Sequence, residues 1–305
     1  MKDSSAVADT RDLPSTPLPS PPAAAEPEGR PAAARPPTRG RGPAEVFKQD
    51  LAPAGRGAGT APLQKDSAAG PRVLLVQIRS HPAAERQEQL CFLDRLGIRP
   101  ESMPCHNLVH EPEVPWSAAA AADAVIIGGA GSHSVTREYA FTAPLGGLVR
   151  RLVDLGRPLF GSCWGHQFIA WALGGRVVHD PDRGEVGTFP VELTAAGAAD
   201  PLFAGFPGRF TAQLGHHDTV VEMPPGVEEL AFSELHRNQA LRVAGLPVYG
   251  TQFHCEMNVG HMRERLLMYR DSYLPVADFE AEIDRILAPS PHADTLLERF
   301  LTLVT

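Results

Sequence analysis

The chain has 305 residues, with 28 Lys and Arg against 36 Asp and Glu, four cysteines and 30 prolines. It has no run of about 18 apolar residues to span a membrane, and no apolar stretch of about 7–15 residues behind a charged start to serve as a secretory signal. Its acidic balance, with no basic patch, argues against a nucleic-acid partner, and its scattered cysteines, without a CxxC pair, argue for free thiols in a reducing cytoplasm.

Residues 1–70 carry 12 of the prolines, many Ala, Gly and Arg, and a single aromatic, Phe47. Such a stretch buries too little apolar surface to offset its ordering entropy, so it is expected to be a disordered tail. The body, 71–305, opens on Val73-Leu74-Leu75-Val76-Gln77-Ile78, a continuous apolar run suited to a buried parallel strand. A helix is predicted over 84–96, then a strand at Ala124-Val125-Ile126-Ile127 ending in Gly128-Gly129-Ala130-Gly131-Ser132. A second helix is predicted over 144–155, closed by Gly156. Strands alternating with helices give an α/β fold, an open and mostly parallel sheet flanked by helices, with sites beyond the carboxyl ends of the strands.

Pro158-Leu159-Phe160 leads into Gly161-Ser162-Cys163-Trp164-Gly165, followed by the helix-forming run Phe168–Leu173 and then Gly174-Gly175. A strand, a sharp turn with glycine on both sides of a cysteine, and a helix make a nucleophile elbow. The helix directs its positive end at the sulfur, which favours the thiolate that attacks carbonyl carbon. Beyond residue 176 short segments alternate with turns: Gly187–Thr194, Arg209–Gln213, Thr219–Glu222, Leu230–Ser233 and Gln239–Val243. They predict a small antiparallel β-region added to the core. The core pattern returns at Val248–His254, and helices are predicted over 258–272, 278–287 and 293–304, the last two in a helical extension at 273–305.

A cysteine nucleophile needs a base and a group that orients it. Among twelve histidines, His254 stands at the end of an apolar strand with Glu256 two residues on, placing both side chains on one face of extended chain. Oxyanion donors are expected from the Trp164 amide and from the amides of 128–131. No GxGxxG or GxxxxGK[ST] phosphate loop occurs, no close ligand pair suggests zinc, and neither a metal nor a cofactor is expected.

Together these residues resemble the class I (triad-type) glutamine amidotransferases. Gly161–Gln167 resembles that family's GxCxGxQ elbow, and Gly250-Thr251-Gln252-Phe253-His254-Cys255-Glu256 its G-V-Q-F-H-P-E motif. Ile127–Ser132 is similar to the glycine-rich oxyanion strand, and Asn238–Arg242 to the short Q-A-F-R strand. The resemblance, running from about 72 to 270, implies a flavodoxin-like core. It implies Cys163 as nucleophile, His254 as base, Glu256 as its orienter, and the amides of Gly129 and Trp164 as oxyanion hole. Gln167 and the loop Gly215-His216-His217-Asp218 are expected to line the substrate pocket. Cys255 departs from the usual proline, and alternation is expected to point it away from the His face as a buried residue.

The activity so implied is hydrolysis of the glutamine side-chain amide through a γ-glutamyl thioester, giving glutamate and ammonia, as in the glutaminase part of GMP synthase. No attached synthetase with an SGGxDS loop is present, so an ammonia acceptor would be a separate polypeptide or water. Two alternatives stand beside it: a γ-glutamyl peptide or amine hydrolase using the same triad, and a non-catalytic binding protein on the same fold.

Overall fold

The computed structural model describes residues 70–270 and 278–305. The expected tail, apart from Gly70, lies outside the described residues, as does part of the 273–305 extension. Five strands make the parallel part of the main sheet: β1 (Val73–Ile78), β2 (Cys105–Asn107), β3 (Ala124–Ala130), β4 (Leu159–Ser162) and β11 (Val248–Thr251). Its antiparallel continuation holds β6 (Glu185–Leu193), β7 (Arg209–His216), β9 (Val227–Phe232) and β10 (Ala240–Val243). The order across the sheet is β2-β1-β3-β4-β11-β10-β9-β6-β7.

This differs from the sequence reading in one respect. Four of the five antiparallel segments extend the parallel sheet through β11 and β10, whose register pairs Leu241 with Gly250. A separate two-stranded sheet is formed by β5 (Arg176–His179) and β8 (Asp218–Glu222), and β5 has too little alternation to be recognised from sequence.

The helices are α1 (Pro82–Leu96), α2 (Trp116–Ala121), α3 (Thr142–Asp154), α4 (Trp164–Ala172), α5 (Ala195–Ala199), α6 (Val259–Met268), α7 (Phe279–Ile286) and α8 (Leu296–Val304). Every residue of β1 is buried because both faces of the sheet are covered. Val73 and Leu75 pack on one side with Phe92 of α1, Phe160 of β4 and Phe300 of α8. Leu74, Val76 and Ile78 pack on the other with Leu145 of α3 and Phe168 of α4. The ring centroids of Phe160 and Phe300 lie 5.2 Å apart, so α8 belongs to the core. Helix α7 buries Phe279 and Ile283 against Cys91, Met257 and Leu266. Both described helices of the extension are therefore packed onto the α/β body.

Strand ends decide where the site forms. β3, β4 and β11 are adjacent and parallel, so Gly129, Cys163 and the segment after Thr251 emerge at one edge. The glycine-rich run Gly128-Gly129-Ala130 is the last part of β3 rather than a loop.

Candidate active site

Cys163 sits between β4 and α4 with φ 50° and ψ −101°, and is one of two non-glycine residues with positive φ among the described residues. Such a conformation costs about 1–3 kcal/mol and persists where its surroundings impose it. Its N–H donates to Thr251 O at 2.8 Å, tying the turn to β11. The flanking glycines allow the close approach: a Cβ on Gly165 would lie 2.2 Å from Ile127 O, and one on Gly161 2.5 Å from the Gly165 carbonyl carbon. Helix α4 starts at Trp164, and the amides of its first turn have no acceptor within the helix.

β11 ends at Thr251, so His254 and Glu256 stand beyond the strand and not on one face of it. They meet because His254 N–H donates to Gln213 O at 2.8 Å, bridging to β7, and a tight turn follows. His254 Nδ1 lies 2.6 Å from Glu256 Oε1, and Ser162 Oγ donates to Glu256 Oε2 at 2.7 Å. With Nδ1 engaged by Glu256, Nε2 is the ring nitrogen left free for the neighbouring Cys163 sulfur, whose charge acts on the imidazole. Burial on its own would lower the His254 pKa; the Glu256 carboxylate and the Cys163 sulfur outweigh it and raise it to about 9. Burial alone would raise Glu256, but the His254 charge and the bonds from His254 and Ser162 bring it down to about 2. Cys255 is fully buried, its sulfur 3.7 Å from Thr251 Oγ1.

A cavity of about 360 Å³ opens above the sulfur, and Cys163, Trp164, Gln167, His216, His217 and Asp218 line it with Gly215. The predicted pocket residues are thus brought together, but several are occupied. Gln167 Nε2 donates to Asp218 O at 2.7 Å and to Gln252 Oε1 at 3.0 Å, so Gln167 braces the wall. Asp218 accepts Ser134 Oγ at 2.6 Å and Val135 N–H at 2.9 Å through Oδ2, while Oδ1 lies 2.7 Å from His179 Nδ1. Its carboxylate therefore fastens the 134–135 segment over the cavity. His216 Nδ1 lies 2.9 Å from Asp218 O and Nε2 3.0 Å from Glu185 Oε2. Both His216 nitrogens are thus engaged by groups of the wall. Burial, followed by the nearby His179 and His216, lowers the His217 pKa.

The expected oxyanion donors divide. The Trp164 amide is free of an intrahelical acceptor, as required. The Gly129 backbone lies beside Cys163, a Cβ there being 3.8 Å from Cys163 Cβ, but its N–H donates to Glu88 Oε1 at 3.0 Å. In this conformation that N–H is held by Glu88.

Other residues of the site escaped the sequence reading. Gln252 Nε2 lies 3.6 Å from the Cys163 sulfur; its place inside the His254 motif was the available signal. Ser162, Ser134, His179, Arg79 and Glu88 gave none, because each acts on a residue at least 9 positions away. Among the described residues no group of three or more His, Cys, Asp and Glu is placed to hold a metal ion, and no helix is long and apolar enough to cross a membrane.

Comparison with known proteins places this geometry. A glutamine-hydrolyzing GMP synthase subunit from Thermococcus kodakarensis is 38% identical over 115 residues, 37% of this chain and 57% of that protein. Its counterpart from Archaeoglobus fulgidus is 33% identical over 120 residues, 39% of this chain and 62% of that protein. The chain thus spans less than two thirds of these relatives' length. The fold matches a crystal structure of a glutamine amidotransferase from Methylobacillus flagellatus with a TM-score of 0.59 at 20% identity, over 77% of this chain and 96% of that one. The profile of the family "Glutamine amidotransferase class-I" matches residues 91–270, a span that includes the elbow, the pocket loop and His254 with Glu256. With more than half of the chain inside that match, the protein belongs to the class I glutamine amidotransferase family.

Proposed function

We propose that this chain hydrolyses the side-chain amide of glutamine through a Cys163–His254–Glu256 triad, releasing ammonia to a separate synthetase or amine acceptor. The observation that carries the reading is Cys163 at a strained elbow beside Gly129, where the His254 imidazole also lies, with Glu256 holding that imidazole at 2.6 Å. The sulfur attacks the amide carbon, forming the C–S bond and an oxyanion. His254 Nε2 passes its proton to the departing nitrogen, and ammonia leaves a γ-glutamyl thioester. Water, deprotonated by His254, then adds to the thioester and releases glutamate and the thiol. Glu256 orients the ring and balances its charge, and Ser162 holds Glu256 in place. The relatives named as GMP synthase subunits support a partner polypeptide as the ammonia consumer.

The test is ammonia release from glutamine, measured beside glutamate release from γ-glutamyl dipeptides, with and without a candidate synthetase. Glutamine turnover that Cys163→Ala abolishes supports the proposal. Turnover of peptides alone assigns the same triad to γ-glutamyl hydrolysis, and no adduct or turnover with either substrate would leave a binding protein.

A further inference from the structure

Arg79 and Glu88 form an ion pair whose side chains are 1% and 0% exposed, with Arg79 Nη2 2.6 Å from Glu88 Oε1. Desolvation offsets most of the attraction in such a pair, so fold stability alone is a weak reason for it. The pair lies directly behind the end of β3. Glu88 Oε1 also accepts Gly129 N–H at 3.0 Å, while Oε2 accepts Gln77 Nε2 at 2.9 Å. A Cβ on Gly128 would stand 2.7 Å from Glu88 Oε1, so the carboxylate occupies space that any side chain there would claim. The Cβ position on Gly129 lies 3.0 Å from Arg79 Nη2, 3.3 Å from His254 Cε1 and 3.8 Å from Cys163 Cβ. Guanidinium, imidazole and nucleophile thus surround one backbone position.

While its N–H donates to Glu88, Gly129 cannot offer that hydrogen to an oxyanion on a substrate carbon bonded to Cys163. The peptide concerned joins Gly128 to Gly129, so turning it changes ψ of one glycine and φ of the next, rotations that glycine permits. We infer that Glu88, its charge neutralised by Arg79, is a positioning residue that holds the Gly128–Gly129 peptide in a resting orientation. Acylation exchanges that hydrogen bond for one to the oxyanion. The catalytic half of this inference rests on the glutaminase reading above; the hold itself rests on the geometry of the free protein. A charged acceptor binds an N–H roughly twice as strongly as a neutral one, so Glu88 sets how readily the amide is released.

Two variants of the full chain test it. Glu88→Gln makes the acceptor neutral, and Glu88→Asp draws the carboxylate back while keeping a counter-charge for Arg79. In substrate-free protein, hydrogen exchange at the Gly129 amide is expected to rise about tenfold in both, given the weaker bond. The second readout is an aldehyde analogue of glutamine. Its carbonyl carbon takes the C–S bond from Cys163, and its oxygen becomes the oxyanion of a thiohemiacetal. It is expected to bind about five- to tenfold more tightly to both variants, from the same difference in bond strength. Alkylation of Cys163 by iodoacetamide, which makes no oxyanion, is expected to stay within about twofold of wild type. Unchanged exchange at Gly129, or aldehyde binding that is equal or weaker in the folded variants, overturns the proposal. If Glu88→Gln does not fold, Glu88→Asp carries both measurements. A wild-type protein that ignores the aldehyde would instead count against the glutaminase reading, and the exchange result would still decide whether Glu88 holds the peptide.

Discussion

Ser162 Oγ donates a 2.7 Å hydrogen bond to Glu256 Oε2, so the residue before the proposed nucleophile fixes the third member of the proposed triad. Both side chains are fully buried, and the two carboxylate oxygens are divided between Ser162 and His254. The elbow therefore positions the sulfur and, through one hydroxyl, the Glu256 carboxylate that holds the His254 ring.

His254→Ala removes the group assigned to move the proton and is expected to reduce glutamine hydrolysis to near background, as Cys163→Ala does. Positioned acid–base catalysis contributes about 10²–10⁴-fold, and the orienter accounts for part of it. Glu256→Gln should retain measurable turnover, and Ser162→Ala should lose about tenfold or less, since one hydrogen bond to a charged group is removed. Single-turnover acylation checks the ranking; equal loss in all three variants would contradict it.

His216 lines the same cavity, but its two nitrogens are both engaged, by Asp218 O and by Glu185. Neither nitrogen is left free to take a proton from Cys163. His216→Ala is expected to lower thermal stability while acylation persists, and His217→Ala to leave acylation within about tenfold, a loss smaller than the acid–base contribution. If either variant abolished acylation while His254→Ala did not, the base would have been misassigned.

An electrophilic glutamine analogue at neutral pH should modify Cys163 ahead of the other thiols. Burial pushes Cys91 up to about 12 and Cys255 well above its ordinary value. Cys105 lies at an exposed position, yet its thiol is tucked against Met103 O at 3.4 Å and burial raises it to about 11. Their thiolate fractions are correspondingly small. Peptide mapping that placed the main adduct on any of these three would oppose the assignment.

Asp218→Ala should loosen the cavity wall without touching the triad, because it removes the oxygen that accepts both the Ser134 hydroxyl and the Val135 N–H. KM for glutamine is expected to rise about tenfold, the worth of one or two such bonds, with a smaller change in kcat. A fall in kcat at unchanged KM would argue that Asp218 acts on the chemistry instead.

The His254–Glu256 pair predicts a stability profile. His254 titrates at about 9 in the folded protein against an ordinary 6.5, so its contribution is complete below 6.5 and lost as pH rises through 9. Glu256 titrates at about 2 against 4.5, so its contribution is present above 4.5 and lost as pH falls through 2. The Tm difference between wild type and a His254→Gln/Glu256→Gln variant should be greatest between pH 4.5 and 6.5 and shrink on both sides. A difference that stays flat from pH 2 to pH 9 would show that the pair's charges do not stabilise the fold.

The sequence by itself determined the local features. The six-residue run of β1, the Gly161–Gly165 elbow and the helix that follows are written in contiguous residues, through side-chain period and the steric demands of glycine. The motif around His254 was legible for the same reason, although its pairing with Glu256 comes from a turn past β11 and not from strand alternation. Only the tertiary structure decided how side chains distant in sequence share donors and acceptors. Glu88 reaches Gly129 across 41 positions, Asp218 reaches Ser134 across 84, and Ser162 reaches Glu256 across 94. Each pairing depends on strand order and register, which place the ends of β3, β4 and β11 side by side, and on helix α1 seating Glu88 behind them. Hydrogen bonds act only over about 3 Å, so which groups remain free for substrate is settled by that packing.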